Sequence, residues 1–278
     1  MWYIKPIQFI CLCTVGKEEN AYVKEFIQHY KNLGFSHIYI YDNNDINGEK
    51  FEDEIKNELS TKFVSIINYR GYKGIQLNAY YNCYNSNYKK YKWLAFFDFD
   101  EFLELIPKNK TIQQFLNNKL FDKCQNIKIN WLMYSDNNLI RYSNKPLQER
   151  FTQPLYNYSY TIKSIVKGNL NINFWEKATN PHTSKYGFQS CSSSGKIISS
   201  TSTSIENQEY DFAILKHYHT KTIEEYINKI IKGSAEYAIY PGDWTKLKIQ
   251  NFFRVNKKTS EKLDFIKKKL NYIFNETL

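Results

Sequence analysis

The chain has 278 residues, 42% of them hydrophobic and 24% charged, long enough for one large domain or two small ones with a sizeable core and ordinary for a globular protein. No run of 18 apolar residues occurs, which excludes a spanning helix. A formal net charge of +10 and a pI of about 9.1 favour polyanionic or phosphorylated ligands.

Residues 7–15, IQFICLCTV, read as a buried strand closed by Gly16. Cys11 and Cys13 share one face of it and read as small core residues. With Cys83, Cys124 and Cys191 they make an odd count without disulfide-scaffold or zinc spacing, which suits a reducing compartment. The start MWYIKPIQFICLCTV has no long apolar stretch with a small-residue cleavage site, so no signal peptide is read and a cytoplasmic location is expected. Next comes a helix with Tyr22, Phe26, Ile27, Tyr30 and Leu33 on one side and Gly34 as its stop. HIYIYD (37–42) is a second strand, a helix is expected at 49–59, FVSIIN (63–68) is a third strand, and a helix is expected at 75–88. WLAFFDFD (93–100) is a fourth strand. This alternation predicts an α/β domain with a mostly parallel central sheet.

The second half changes character. Thr111 and Gln114 make a capping box, as do Thr222 and Glu225. Strands are expected at 126–134, 161–168 and 211–218, with a Ser/Thr-rich stretch at 189–204 reading as a surface loop or lid. A basic amphipathic helix at 259–274 carries Lys262, Lys267, Lys268 and Lys269 and presents either a solvated face or a contact for an anionic membrane or acidic glycan. One domain is expected, with residues 7–235 as core and 236–278 as a basic helical extension. The 24 Tyr and 19 Phe suit flat contacts with polar ligands such as sugars, although an AT-rich coding sequence produces the same excess.

Asp98 and Asp100 end the apolar fourth strand, and i, i+2 spacing in a strand places both on one face. Two adjacent carboxylates repel, and a Mg²⁺ or Mn²⁺ ion carrying a ligand diphosphate relieves that repulsion. The alternative is a helix start capped by Asp100 and Glu101. Other polar strand ends reach the same sheet edge, where open α/β sheets bind ligands. They are Thr14, Gly16 and Glu18 after strand one, Asp42 and Asn43 after strand two, and Arg70, Lys73 and Gln76 after strand three. Asp42 and Asn43 suit a base or ribose, and Arg70 and Lys73 suit phosphate. His217 and His219, again i and i+2, precede Lys221 at a helix start; imidazole ligates Mn²⁺ and the ammonium attracts phosphate. His182 is a further possible ligand. Asp136 and Glu149 are candidate general bases, and Glu149 beside Arg150 equally suits an ion pair.

Taken in order, TVGKEEN with the helix and IYIYDNND after it (14–45), QLNAYYNCY (76–84), WLAFFDFDEFLEL (93–105), QERF (148–151), KSIVKGNL (163–170), NPHTS (180–184) and HYHTKTIEEYINK (217–229) resemble the glycosyltransferase family 92 and family 2-like proteins of bacteria and large viruses. The resemblance implies a GT-A-type nucleotide-binding fold with a D-x-D motif, a nucleotide-sugar donor, UDP-linked, a glycan or other hydroxyl acceptor, and Mn²⁺ or Mg²⁺. It implies Asp98, Asp100 and His217 at the metal and Thr14 to Glu18 with Asp42 at the nucleoside. It places Lys221 near the phosphates and Glu149, then Asp136, as the base of an inverting reaction. Two other readings compete: a two-metal phosphohydrolase or nuclease on Asp98, Asp100, Glu101 and Glu104, and a non-catalytic basic protein that binds nucleic acid or an anionic membrane. The first reading expects no specific nucleic acid partner.

Overall fold

β1 (Gln8–Gly16) is buried from Ile10 onward, the pattern of a central strand covered on both faces. In this computed structural model, which describes residues 7–108, 110–156, 158–170, 182, 188–201, 203–205, 208–232, 244–264 and 268, α1 (Asn20–Asn32) follows. Then come β2 (His37–Asp42), α2 (Phe51–Glu54), α3 (Lys56–Ser60), β3 (Val64–Asn68), α4 (Gln76–Asn87) and β4 (Tyr91–Phe96). The second half holds β5 (Glu101–Leu105), α5 (Ile112–Leu116), β6 (Asn126–Tyr134), α6 (Leu147–Arg150), β7 (Pro154–Leu155) and β8 (Ile162–Lys167). It ends with β9 (Ser190–Ser192), β10 (Ile197–Ile198), β11 (Ala213–His217), α7 (Ile223–Lys232) and α8 (Trp244–Val255).

The fold is mixed α/β. The sheet order is β10-β9-β6-β8-β4-β1-β2-β3. The expected parallel part is β3-β2-β1-β4, which brings the ends of β1, β2 and β3 into register at Gly16, Asp42 and Asn68. Beyond β4 the ladder turns antiparallel at β8 and again at β6. β11 lies parallel to β6 and antiparallel to β5.

Side-chain alternation along β1 builds two core layers. Ile10 and Leu12 pack with Val23, Phe26, Ile27 and Tyr30 of α1. Cys11, Cys13 and Val15 pack with Ala79, Tyr80, Cys83 and Tyr84 of α4. Both capping boxes form: Thr111 with Gln114 opens α5, and Thr222 with Glu225 opens α7. The helix expected at 49–59 is broken into α2 and α3 at Ile55.

Three expectations change. The cysteines are not all free: Cys13 is bonded to Cys83 and Cys124 to Cys191, leaving Cys11 as a buried thiol. Cys13 faces α4, and its partner lies 70 residues away on that helix, a separation no local spacing reveals. The odd count therefore gives no support for a reducing compartment. The stretch 189–204 is not a loose surface loop. It forms β9 and β10 at the sheet end, with Ser190, Cys191 and Ser192 buried and Lys128 donating to the carbonyls of Ser199 and Ser200. EFLEL is strand β5, so the helix start at Asp100 and Glu101 is excluded.

Residues 257–264 are helical, and most of the basic helix expected at 259–274 lies outside the described residues. Among the described residues no helix is long and apolar enough to cross a membrane.

His29 of α1 sets an acid limit on stability. Its Nε2 lies 2.8 Å from the Leu103 carbonyl and its Nδ1 3.3 Å from Gln148 Nε2. Burial lowers its pKa to about 4. The folded value is below the unfolded one, so the stability gained is full above pH 6.5 and is lost as pH falls toward 4. Between pH 7 and pH 4.5 the protein is expected to lose about 2 kcal/mol more than His29→Gln does. Urea denaturation of both at the two pH values checks this, and equal losses would refute it.

Candidate active site

β4 ends at Phe96, and the chain turns before β5 begins at Glu101. Glu101 N donates to the Asp98 carbonyl at 3.0 Å, and Asp98 N donates to Glu101 Oε2 at 2.9 Å, closing the turn on itself. Asp98 and Asp100 thus sit in a turn, where strand alternation no longer governs them, and their carboxylates have separate surroundings.

Asp98 Oδ1 accepts from Tyr80 Oη at 2.8 Å and Gln76 Nε2 at 3.2 Å, both on α4. Its Oδ2 accepts from Lys163 Nζ of β8 at 2.7 Å. The Lys163 side chain is 1% exposed and also lies 3.6 Å from Glu101. Burial pushes the Asp98 pKa up, but Lys163 more than offsets it and the net shift is downward. Glu101, fully buried and beside both aspartates, is held well above the ordinary carboxylate range despite Lys163.

Asp100 faces the second half of the chain. The β5–β11 register sets Glu101 opposite His217, and Tyr218 N donates to the Asp100 carbonyl at 2.9 Å. Asp100 Oδ1 therefore lies 3.4 Å from His217 Nε2, and Oδ2 accepts from Lys229 Nζ of α7 at 2.8 Å. Burial would raise its pKa; Lys229, His217 and Lys221 overcome that and hold it well below the usual range. His219 lies next to this group, with Nδ1 3.3 Å from Lys229 Nζ. Burial lowers the pKa of His217 and, with Lys229 adding to it, takes that of His219 well below its ordinary value.

Asp100, His217 and His219 each offer a ligand atom within 4.8 Å of the others, the one such metal-competent group among the described residues. The buried His217 Nδ1 has no hydrogen-bond partner. One carboxylate and two neutral imidazoles fit a divalent cation and suit Mn²⁺ better than all-oxygen Mg²⁺. Lys229 already supplies a positive charge at Asp100, so a bound cation competes with that ammonium.

Lys229, which bonds Asp100, also lines a cleft of about 460 Å³ with Glu18, Tyr22, Lys221, Glu225 and Lys232, among others. Lys221 has a left-handed backbone (φ 49°) and sits 3.9 Å over the Tyr22 ring. Glu19 ties two of the lysines: Lys232 at 2.5 Å and Lys221 at 3.5 Å. Glu49 and Glu224 line the cleft with Glu18 and Glu225, so its three lysines stand among carboxylates.

The remaining residues singled out by sequence divide sharply. Glu18 lines the cleft, also with positive φ. Thr14 is buried with its hydroxyl unpartnered. Gly16 is a packing requirement, because a Cβ there would strike the rings of Phe99 and Phe51. Arg70 is engaged within the protein: it donates to Asp42 at 2.7 Å and to the carbonyls of Asp45, Gly48 and Glu49, which shapes the 42–49 loop. Asn43 donates to the carbonyls of Tyr69 and Tyr72. Lys73 is exposed. Asp136 is engaged by Thr259 Oγ1 and Asn138 N. Glu149 is exposed on α6, while Arg150 beside it is buried and bonded to Glu225, so the suggested Glu149–Arg150 pair does not form. Glu104 binds Lys216 and Lys108, and Glu101 is taken up by the turn, which leaves no second acidic metal group for the hydrolase reading among the described residues.

Lys163 and Lys229 were not singled out from the sequence. The usable signal was a lysine inside the apolar strand TIKSIVKG, since a buried lysine is rare without an acidic partner.

A family model described as glycosyltransferase family 92 matches residues 8–190. A glycosyltransferase family 92 protein of Oryza sativa subsp. japonica is 27% identical over 118 residues, 39% of this chain, which spans only 18% of that protein's length. Among solved structures, S. aureus TarS 1–349 in complex with UDP-GlcNAc has a TM-score of 0.44 at 7% identity, covering 89% of this chain and 64% of that one. S. aureus TarS itself has a TM-score of 0.37 at 8% identity, covering 62% and 30%.

Proposed function

Because the chain belongs to glycosyltransferase family 92, we propose that it moves a sugar from a UDP-linked donor to a hydroxyl of a glycan acceptor, with Mn²⁺ at the Asp100 turn. The observation that carries the site assignment is the Asp100–His217–His219 group, joined through Lys229 to a neighbouring cleft. When bound, the cation supplies Lewis-acid stabilisation to the departing diphosphate. Asp100, His217 and His219 would hold it. Lys221, Lys229 and Lys232 bind the phosphates, whose negative charge grows as the glycosidic bond breaks. Asp98 is a positioning residue in this reading: both its oxygens are occupied, and with Lys163, Tyr80 and Gln76 it fixes the turn that presents Asp100.

The acceptor enters beside the donor. A second cleft of about 610 Å³ shares Tyr22 and Tyr142 with the first and is lined by Gln148 and Arg150 of α6. Glu149 on the same short helix remains the candidate base for an inverting transfer, its carboxylate exposed where that of Asp136 is buried and bonded. A base must reach the proton it removes, and α6 borders the cleft where the hydroxyl would lie.

Calorimetric titration with UDP, GDP and CMP, each with and without Mn²⁺, tests the donor site. UDP is expected to bind at least about tenfold more tightly with Mn²⁺ than without it, a difference of roughly 1.4 kcal/mol. Failure of all three nucleotides under both conditions would sink the donor-site assignment.

A further inference from the structure

Among the described residues β3 pairs with β2 alone and forms an edge of the sheet. Between that edge and α4 runs a groove of about 550 Å³, separate from both clefts. Its walls carry Tyr69, Tyr72 and Tyr81 and Asn68, Asn78 and Asn82, with buried Ile75 also lining it. None of its residues is charged, in a chain that is 24% charged.

The local structure builds this surface. Asn78, Tyr81 and Asn82 stand at i, i+3 and i+4 on α4 and share one exposed face. The buried side of the helix turns Tyr80 toward Asp98. Tyr41 Oη donates to Asn82 Oδ1 at 2.7 Å, which leaves the amide NH₂ to donate to a ligand. The Tyr69 ring meets Tyr41 edge-on at 5.2 Å and Tyr72 at 6.3 Å, so three aromatic rings follow one another toward the groove. Tyr72 is 69% exposed and Tyr81 41%, so both rings can meet a ligand without rearrangement.

The chemistry selects a ligand class. Tyrosine rings offer flat apolar faces, a hydroxyl and few rotatable bonds, and asparagine amides offer a donor beside an acceptor. The matching ligand has apolar C–H faces, many hydroxyls and no charge. A phosphate or a nucleic acid would require cations, and a lipid surface would not face three asparagines. We infer that this groove is a subsite for a neutral saccharide. If the chain transfers sugars as proposed above, the groove holds a distal part of the acceptor. The first turns of α4, a helix about 10 Å across, separate the groove from the Asp98 turn.

The test compares the full chain with a Tyr72→Ala/Tyr81→Ala double variant on an array of neutral mono- to hexasaccharides, with UDP–Mn²⁺ titration as a parallel readout. Both rings are exposed, so the core is untouched. Binding is expected to rise with saccharide length and to fall about tenfold or more in the double variant, while UDP affinity stays within about twofold. Binding to no saccharide by the wild-type chain, or binding unchanged in the double variant, would overturn the inference. So would self-association of the wild type that the double variant loses, which assigns the groove to a second copy of the chain. Saccharide binding that depends on Tyr72 and Tyr81 in a protein that does not bind UDP would uphold the groove and remove its role as an acceptor site, which keeps the two failures distinct.

Discussion

Asp100→Asn is expected to lower kcat/KM for sugar transfer by roughly 10²- to 10³-fold, the size associated with removing one electrostatic stabiliser of a developing charge. Asparagine keeps the shape of the side chain and can still meet Tyr218's strand, but it removes the charge that gathers His217 and Lys229. Mn²⁺ binding, followed by electron paramagnetic resonance, is expected to disappear together with the activity. Asp98→Asn makes the contrast. It leaves the Lys163 ammonium, 1% exposed, with only Glu101 at 3.6 Å, so its first effect is on stability. Undiminished Mn²⁺ binding in Asp100→Asn, or the complete loss of it in a folded Asp98→Asn, would reverse the roles assigned to the two carboxylates.

Arg150→Met is expected to destabilise the protein by about 3–5 kcal/mol. Arg150 and Glu225 form a two-pronged pair at 2.8 and 2.9 Å with side chains 2% and 5% exposed. Arg150 Nε also donates to the Lys145 carbonyl, and Glu225 accepts from Tyr22 Oη at 2.6 Å. The pair therefore joins α6, α7 and α1 between the two clefts. Methionine fills much of the same space but leaves the Glu225 charge buried, with Tyr22 and Thr222 as its remaining donors. Arg150→Met/Glu225→Gln, which also removes the charge, is expected to recover part of the loss. Urea denaturation of the three proteins measures this; a loss below about 1 kcal/mol in the single variant would place the pair among those that contribute little.

The parallel half of the sheet was legible because its signal is local. Apolar runs alternate with helical stripes, and each strand ends in polar residues. The carboxylates at 98 and 100 stood out because they interrupt an aromatic run. What completes them was hidden, since it comes from pairing. Lys163 is buried because β4 and β6 flank β8 on either side, and Lys229 arrives from a helix more than a hundred residues on. Glu149 and Arg150 look alike as adjacent charges. A helix of four residues turns one to solvent and the other into the core, and only the packing of α6 decides which. The serines at 189–204 suggested a mobile surface, yet a disulfide to Cys124 and a ladder to β6 hold the start of the stretch and bury Ser190, Ser192 and Ser193. Arg70 suggested phosphate, but the carbonyls of its own neighbouring loop take up its guanidinium.

The pairing of β5 with β11 has a consequence for biosynthesis. β11 is the sole ladder partner of β5 among the described residues, and it stands about 116 residues later in the chain. At ribosomal speeds that interval lasts on the order of 6–23 s. Throughout it the Asp98–Asp100 turn and the strand after it can pack on α1 and α4 but have no strand to pair with, while β1 to β4 already have one another. The parallel half can thus condense cotranslationally, and the arrival of β11 and the residues after it brings His217 and His219 to Asp100. Any nascent fragment released before that point carries Asp98 and Asp100 without the two histidines.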